Sequence, residues 1–316
     1  MPLVSAVIPT YNRCQFLSQA IESVLSQTLR DLEIIVVDDG STDGTAEMVR
    51  ERYGTSIRYI HQSNQGRSKA RNIGMAAAAG KYIALLDSDD TWKSGKLEKQ
   101  IRLLEASPEV GLAHTFTEVT DSSGNRDPAQ TRLRLRLHAS ALKRGYDYLN
   151  MSRECVMFTS SVVVRRERLR EIGLMDEAIA SLEDWDWYLR AALVTKIATV
   201  PEPLVLYRMH DANTSMREFN IGRIHTSLKH LKLVDKSGDA RFRRQAKRNL
   251  YVQLAQAHYQ MGNTARCGRW MRKGVALDWK VALEPRNFRY ALCIYAAPLL
   301  SQARRLKRRV AERLGP

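Results

Sequence analysis

The sequence predicts an α/β fold: a mostly parallel sheet with helices on both faces, followed by a helical C-terminal region. Two observations predict it. Short apolar runs alternate with helix-patterned stretches through about residue 90. Each run ends in a polar cluster, as expected at the carboxyl edge of a parallel sheet, where such folds bind ligands. A third observation separates the tail. Residues 1–218 hold 28 Lys+Arg against 29 Asp+Glu, and residues 219–316 hold 22 against 5. The net charge of +16 therefore belongs to the last third.

Taken in order, "LVSAVI" (3–8) is a first strand, closed by "PTYN". Residues 15–29 place Phe16, Leu17, Ala20, Ile21, Val24, Leu25 and Leu29 at helical spacing. "EIIVV" then reads as a buried strand, and "DDGSTDGT" supplies the turn. Residues 45–53 resume as helix. "IRYIHQ" (57–62) is a third strand, and 68–80 an Ala-rich helix closed by Gly80. "KYIALL" (81–86) is a fourth strand, followed by "DSDD". A helix is expected over 97–105, a strand over 110–120 and a loop over 121–130. Residues 156–173 read as strand then helix, and "EDWDWYLRAALV" (183–194) as a helix with an acidic start that suits its dipole. Beyond 219 the pattern is helical, with "MGN" breaking a hairpin over 248–280 of tetratricopeptide type. Three regions follow: 1–110, 111–218 and 219–316.

The four cysteines, Cys14, Cys155, Cys267 and Cys293, are widely spaced, which suits free thiols in a reducing compartment. The N-terminus lacks the pattern of a signal peptide. The apolar run 291–300 contains Pro298 and is too short to span a bilayer.

The densest chemistry is "LLDSDDTW" (85–92). Asp87 and Asp89 can face one hard divalent cation from a turn, and the cation relieves their mutual repulsion. Asp90 reads as the cap of the next helix.

Taken together, "VIPTYN", "VVDDGSTDGT", "NQGRSKARNIGMAAAAGKYIALLDSDD" and "EDWDWYLR" resemble the family-2 glycosyltransferases with the GT-A fold, a Rossmann-like mixed sheet. The likeness covers residues 3–100, 183–190 and 207–215. It implies an inverting transferase that moves one sugar from a nucleotide-diphosphate sugar, usually a UDP-sugar, with Mn²⁺ or Mg²⁺ as cofactor. Pro9, Thr10, Tyr11 and Asn12 would bind the nucleotide, with Tyr11 stacked on the base. Asp39 would accept the uracil N–H, and Arg71 would reach the base or diphosphate. Asp87 and Ser88 would lie at ribose and phosphate. Asp89, Asp87 and His210 would hold the metal. Asp184 would be the general base, with Glu183 beside it and Asp186 a competitor on another face. Trp185 and Trp187 read two ways, as sugar platforms or as core, and Arg208 as a phosphate partner or a surface cation. Processive members carry Gln-x-x-Arg-Trp and membrane spans. Here Arg266 stands where that Gln would, which favours transfer of a single sugar in cell-surface polysaccharide or glycan biosynthesis.

The basic segment 298–316 places Leu299, Ala303, Leu306, Val310 and Leu314 on one stripe, with Arg and Lys around it. This suits an anionic membrane surface, which would make the protein a cytoplasmic enzyme, peripheral on the inner face of the membrane, acting on a glycan or lipid-linked acceptor; it equally suits an ordinary solvated helix docked on the catalytic domain. Two other classes share some of these features. A nucleic-acid binder would explain the basic tail, but no nucleic-acid motif appears and no nucleic-acid partner is expected. A sugar-nucleotide nucleotidyltransferase would use a Gly-rich loop after the first strand, where this chain has "PTYN".

Overall fold

The computed structural model describes residues 1–211 and 213–294. The chain divides into two compact units, Met1–Asn213 and Thr214 onward. The first contains β1 (Val4–Thr10), α1 (Cys14–Leu25), β2 (Leu32–Asp38), α2 (Thr45–Tyr53), β3 (Arg58–His61) and α3 (Arg67–Ala77). It continues through β4 (Tyr82–Leu85), β5 (Thr91–Trp92), α4 (Lys96–Ala106), β6 (Val110–Thr120), α5 (Pro128–Arg144) and α6 (Tyr148–Arg153). It closes with β7 (Val163–Arg165), α7 (Leu169–Ile172), α8 (Glu183–Val194) and β8 (Lys196–Arg208). The second unit holds α9 (Met216–Val234), α10 (Ala240–Gln260) and α11 (Thr264–Leu277).

All eight strands of the first unit form one sheet, in the order β3-β2-β1-β4-β7-β6-β8-β5. β3, β2, β1 and β4 run parallel. β7 is antiparallel to both β4 and β6, β8 runs parallel to β6, and β5 is antiparallel to β8. Every residue of β1 and β4 is buried, as expected of strands covered on both faces. The register pairs Thr10 with Asp38 and Asp38 with His61, so three loops leave the sheet at one level. Gly40, at φ +86°, turns the chain after β2, and a Cβ there would stand 2.9 Å from the Asn64 nitrogen. Gly74 brings α3 against β1, where a Cβ would meet Val7 Cγ1 at 2.2 Å.

Four expectations need correction. The expected loop 121–130 ends early: Pro128 starts the helix α5 inside it, and the Asp127 carboxylate caps the helix by accepting from the N–H groups of Ala129 and Gln130. Residues 156–162 are irregular, with one short turn at Thr159–Ser161, and only Val163–Arg165 are strand. Asp90 caps no helix, because α4 begins beyond Gly95. Trp185 and Trp187 are core: both are buried, and their indole N–H groups donate to the carbonyls of Met151 and Gly173.

In the second unit, Ser215 and Glu218 form a reciprocal capping box at the start of α9. α10 and α11 form a hairpin broken at 261–263, with Val252, Ala255, Cys267 and Met271 in its core. No helix among the described residues is long and apolar enough to cross a membrane. The basic stripe of 298–316 lies outside the described residues.

Candidate active site

The polar clusters that follow β1, β2, β3 and β4 meet at the carboxyl edge of the sheet. After β1, Pro9 and Thr10 are buried, and the Thr10 hydroxyl has no hydrogen-bond partner among the described residues. Tyr11 is 48% exposed and presents a free aromatic face. Asn12 adopts φ 51°, in the left-handed region. Its side chain accepts from the Thr42 N–H at 2.8 Å, and its own N–H donates to Ser41 Oγ at 2.9 Å. Asn12 therefore laces the β1 and β2 loops together through its side-chain oxygen and backbone N–H.

The turn after β2 rests on two carboxylates. Asp38 is fully buried and accepts from the Ser41 N–H and the Tyr59 hydroxyl. Asp39 accepts from Gln62 Nε2 at 2.6 Å, the Gln65 N–H at 2.8 Å and the Gly66 N–H at 2.8 Å. A carboxylate offers about four lone-pair directions, so Asp39 is rigidly oriented and keeps one for a further donor.

Arg71, on α3, is buried between two carboxylates, with Nη2 2.6 Å from Asp87 Oδ1 and Nη1 2.5 Å from Glu183 Oε1. It joins the β4 turn to the start of α8, and Arg71 and Glu183 lie 112 residues apart in sequence. Arg71 is thus a strut between two loops, and Glu183 is its buried counter-ion.

Asp87, Ser88, Asp89 and Asp90 occupy different environments. The Asp87 N–H donates to Ser160 Oγ at 3.0 Å, and Ser88 is buried. Asp90 is buried and accepts from Ser160 Oγ at 2.5 Å and from the Arg208 N–H at 3.0 Å. Burial, with the charges of Asp89 and Asp87, pushes its carboxyl well above the usual range. For Asp89, burial also pushes upward. The contact with His210 and the charge of Arg13 outweigh it, and the carboxyl lies below the usual range. His210 Nε2 stands 2.9 Å from Asp89 Oδ2, and Arg13 Nε 3.9 Å from the same oxygen. The His210 ring stacks on Phe16 at 5.4 Å.

A divalent cation would find a carboxylate oxygen and an imidazole nitrogen side by side at Asp89 and His210. That donor pair fits Mn²⁺ or Mg²⁺ when phosphate oxygens complete the sphere. Asp87, held by Arg71, does not join the pair. Among the described residues, no three His, Cys, Asp or Glu side chains are grouped to hold a metal ion. Arg208 is neither a phosphate partner nor a surface cation. It is buried and donates to the carbonyls of Asp89 and Ser122 and to Gln19 Oε1.

Asp184 sits in the first turn of α8, after Leu182 at φ 59°. A leucine in that region is strained by about 1–2 kcal/mol, a cost that the packing of α8 must offset. Asp184 Oδ1 accepts from the Trp185 N–H at 2.7 Å, and Oδ2 lies 3.3 Å from Thr159 Oγ1. Burial pushes the carboxyl up to about 6; Glu183 adds to the shift and Arg71 opposes it. Asp186 is excluded as its rival, being fully buried and ion-paired with Arg190. Thr159, Ser160 and Arg13 join the site without a sequence motif of their own, and Phe16, expected only on the apolar stripe of α1, stacks on His210. "TSS", three small polar residues interrupting the apolar run 156–164, was the available signal.

A model of glycosyl transferase family 2 matches residues 5–169. An uncharacterized glycosyltransferase of Nostoc sp. is 36% identical over 220 residues, covering 67% of this chain and 66% of its own. The chondroitin synthase of Escherichia coli is 30% identical over 245 residues, covering 75% of this chain and 33% of its own. The chain spans 31% of a Rickettsia bellii glycosyltransferase that is 30% identical. S. aureus TarS 1–349 in complex with UDP-GlcNAc superposes with a TM-score of 0.66 at 18% identity, covering 94% of this chain and 87% of that one. A mannosyltransferase of Pyrobaculum calidifontis in complex with GDP-Man and Mn²⁺ superposes at 0.58 and 18%, covering 95% and 81%. At such identities these likenesses speak to fold alone.

Proposed function

The chain belongs to glycosyl transferase family 2 and has the GT-A fold, and on that premise we propose that it moves one sugar from a UDP-sugar to an acceptor hydroxyl with inversion. The observation that carries this reading is Asp184. It is a carboxylate held near pKa 6 at the sheet edge, tied through Glu183 and Arg71 to the Asp87 turn. A general base works best with a pKa near the operating pH.

In this reading Tyr11 stacks on the base and the remaining lone pair of Asp39 accepts its N–H. Asp87 and Ser88 face ribose and phosphate. Asp89 and His210 would hold the divalent cation, which when bound neutralises charge on the departing diphosphate. Asp184 takes the acceptor proton as the acceptor oxygen bonds to the anomeric carbon. The bond from that carbon to the diphosphate oxygen breaks on the opposite face, so configuration inverts. Arg71 fixes the turn that holds the donor relative to the helix that holds the base. The binding of UDP-GlcNAc by TarS and of GDP-Man with Mn²⁺ by the mannosyltransferase supports a nucleotide-sugar donor and a metal.

The acceptor is proposed to be a cell-surface glycan or its lipid-linked precursor. The basic stripe of 298–316 supports a peripheral place on the inner face of the membrane; stronger co-sedimentation with anionic than with neutral vesicles is expected, and equal binding would contradict it. The donor reading is tested by a thermal-shift panel of nucleotide-sugars with and without Mn²⁺. A ligand at a hundred times its Kd stabilises by about 2.7 kcal/mol. The largest shift is expected for a UDP-sugar with Mn²⁺, and no shift with any nucleotide-sugar would overturn the reading.

A further inference from the structure

Arg134 projects from α5 onto Phe158, its guanidinium carbon 4.7 Å from the ring centroid. Phe158 in turn packs on Tyr207, centroids 4.7 Å apart. Among the described residues, no carboxylate pairs with Arg134. It is half-buried, and desolvation draws its pKa down with only the phenol of Tyr207 opposing. Guanidinium groups taken from water are usually matched by a carboxylate or phosphate. Among the described residues that matching anion is missing.

The position of the patch suggests where that anion comes from. Phe158 precedes Thr159, whose hydroxyl lies 3.3 Å from Asp184. Tyr207 precedes Arg208, whose N–H donates to Asp90 at 3.0 Å. Tyr207 thus lies within the field of Asp90, Asp89 and Asp87 of the carboxylate turn, and Phe158 is the chain neighbour of the residue that contacts the base. An acceptor with its hydroxyl at Asp184 would lay a neighbouring part of itself across these rings. Aromatic faces suit the apolar face of a sugar, and the planar guanidinium suits a two-oxygen anion.

We propose that Arg134, Phe158 and Tyr207 form an acceptor subsite for a sugar carrying an oxyanion, a carboxylate or a phosphate. The proposal rests on the transferase reading above, and its test separates the two. Calorimetry of the full chain uses three probes: methyl glucuronide, glucose 6-phosphate and the neutral methyl glucoside. Each is titrated with and without saturating UDP and Mn²⁺, which keep the phosphate probe from the donor site.

One anionic probe is expected to bind the wild type roughly ten-fold or more tightly than the glucoside, the strength of one charge-assisted pair. Which probe it is identifies the oxyanion. Arg134→Gln should abolish that preference while leaving UDP affinity and Tm unchanged, which a purely structural Arg134 would not do. Equal binding of charged and neutral probes, binding of none, or a preference that survives in Arg134→Gln would overturn the proposal. Should Arg134→Gln not fold, Arg134→Lys decides, because it keeps the charge and loses the planar stack. A several-fold weaker preference supports the subsite, and an unchanged one overturns it. Failure of UDP to bind the wild type would sink the donor reading instead, leaving the anion preference measurable.

Discussion

Two arginines of the first unit face opposite situations. Arg71 lies between Asp87 and Glu183, with both ends of its guanidinium paired. Arg134 lies on a phenyl ring with no carboxylate. The surroundings differ in the same way. At the ends of β2 and β4, Asp38, Asp39, Asp87 and Asp90 are bound by protein donors before any ligand arrives. Around Arg134, a guanidinium stacked on Phe158 has no carboxylate partner among the described residues. A site for an invariant nucleotide gains from preorganisation. A site that discriminates among acceptors must keep binding groups unmatched by the protein itself.

The largest expected effect lies where the two regions meet. Asp184→Asn should lower the transfer rate by roughly 10²–10⁴-fold, the usual worth of a general base, with UDP binding unchanged. Its Tm should rise above about pH 6, because burial disfavours the ionised carboxylate that the substitution removes. Loss of UDP binding in this variant would move Asp184 into the donor site.

The second test sets the arginines against each other. Arg71→Met leaves Asp87 and the buried Glu183 without their cation and should cost about 3–5 kcal/mol in denaturant unfolding. Arg134→Gln should stay within about 0.5 kcal/mol of the wild type. Similar costs would erase the distinction.

A third effect is on pH dependence. kcat/KM should fall roughly ten-fold per pH unit below about pH 6, as Asp184 protonates. A flat profile down to pH 5 would place the base elsewhere.

The smallest effect concerns Asp90. Its pKa is raised on folding, so the stability it contributes is present at low pH and is lost as pH rises through the folded value. In chelator, Asp90→Asn should therefore gain Tm relative to the wild type as pH rises, with no difference at low pH. A gap that widens toward acid would reverse the assignment.

The sequence made the parallel half of the fold legible because strands buried on both faces are continuous apolar runs, as in "IIVV" (34–37) and "YIALL" (82–86). The helix α5 was hidden for the opposite reason. "RLRLRL" alternates with period two, and Leu133 is 52% exposed, so no helical stripe marks it. At the site, residue types were readable but pairings were not. Arg71 was expected at the nucleotide and Asp90 at a helix cap. Each binds a residue far along the chain, Glu183 for Arg71 and Ser160 for Asp90, which local pattern cannot encode; this overturns the Asp90 cap, while Arg71 keeps a buried Nε without a hydrogen-bond partner among the described residues.

The central claim is inverting transfer with Asp184 as base, and donor hydrolysis tests it without knowledge of the acceptor. Water replaces the acceptor hydroxyl, and proton NMR follows the anomeric signal of the sugar released from a UDP-sugar that binds. The sugar should first appear with its anomeric configuration inverted and then mutarotate, and Asp184→Asn should release almost none. First appearance with retained configuration, or undiminished release by Asp184→Asn, would contradict the account.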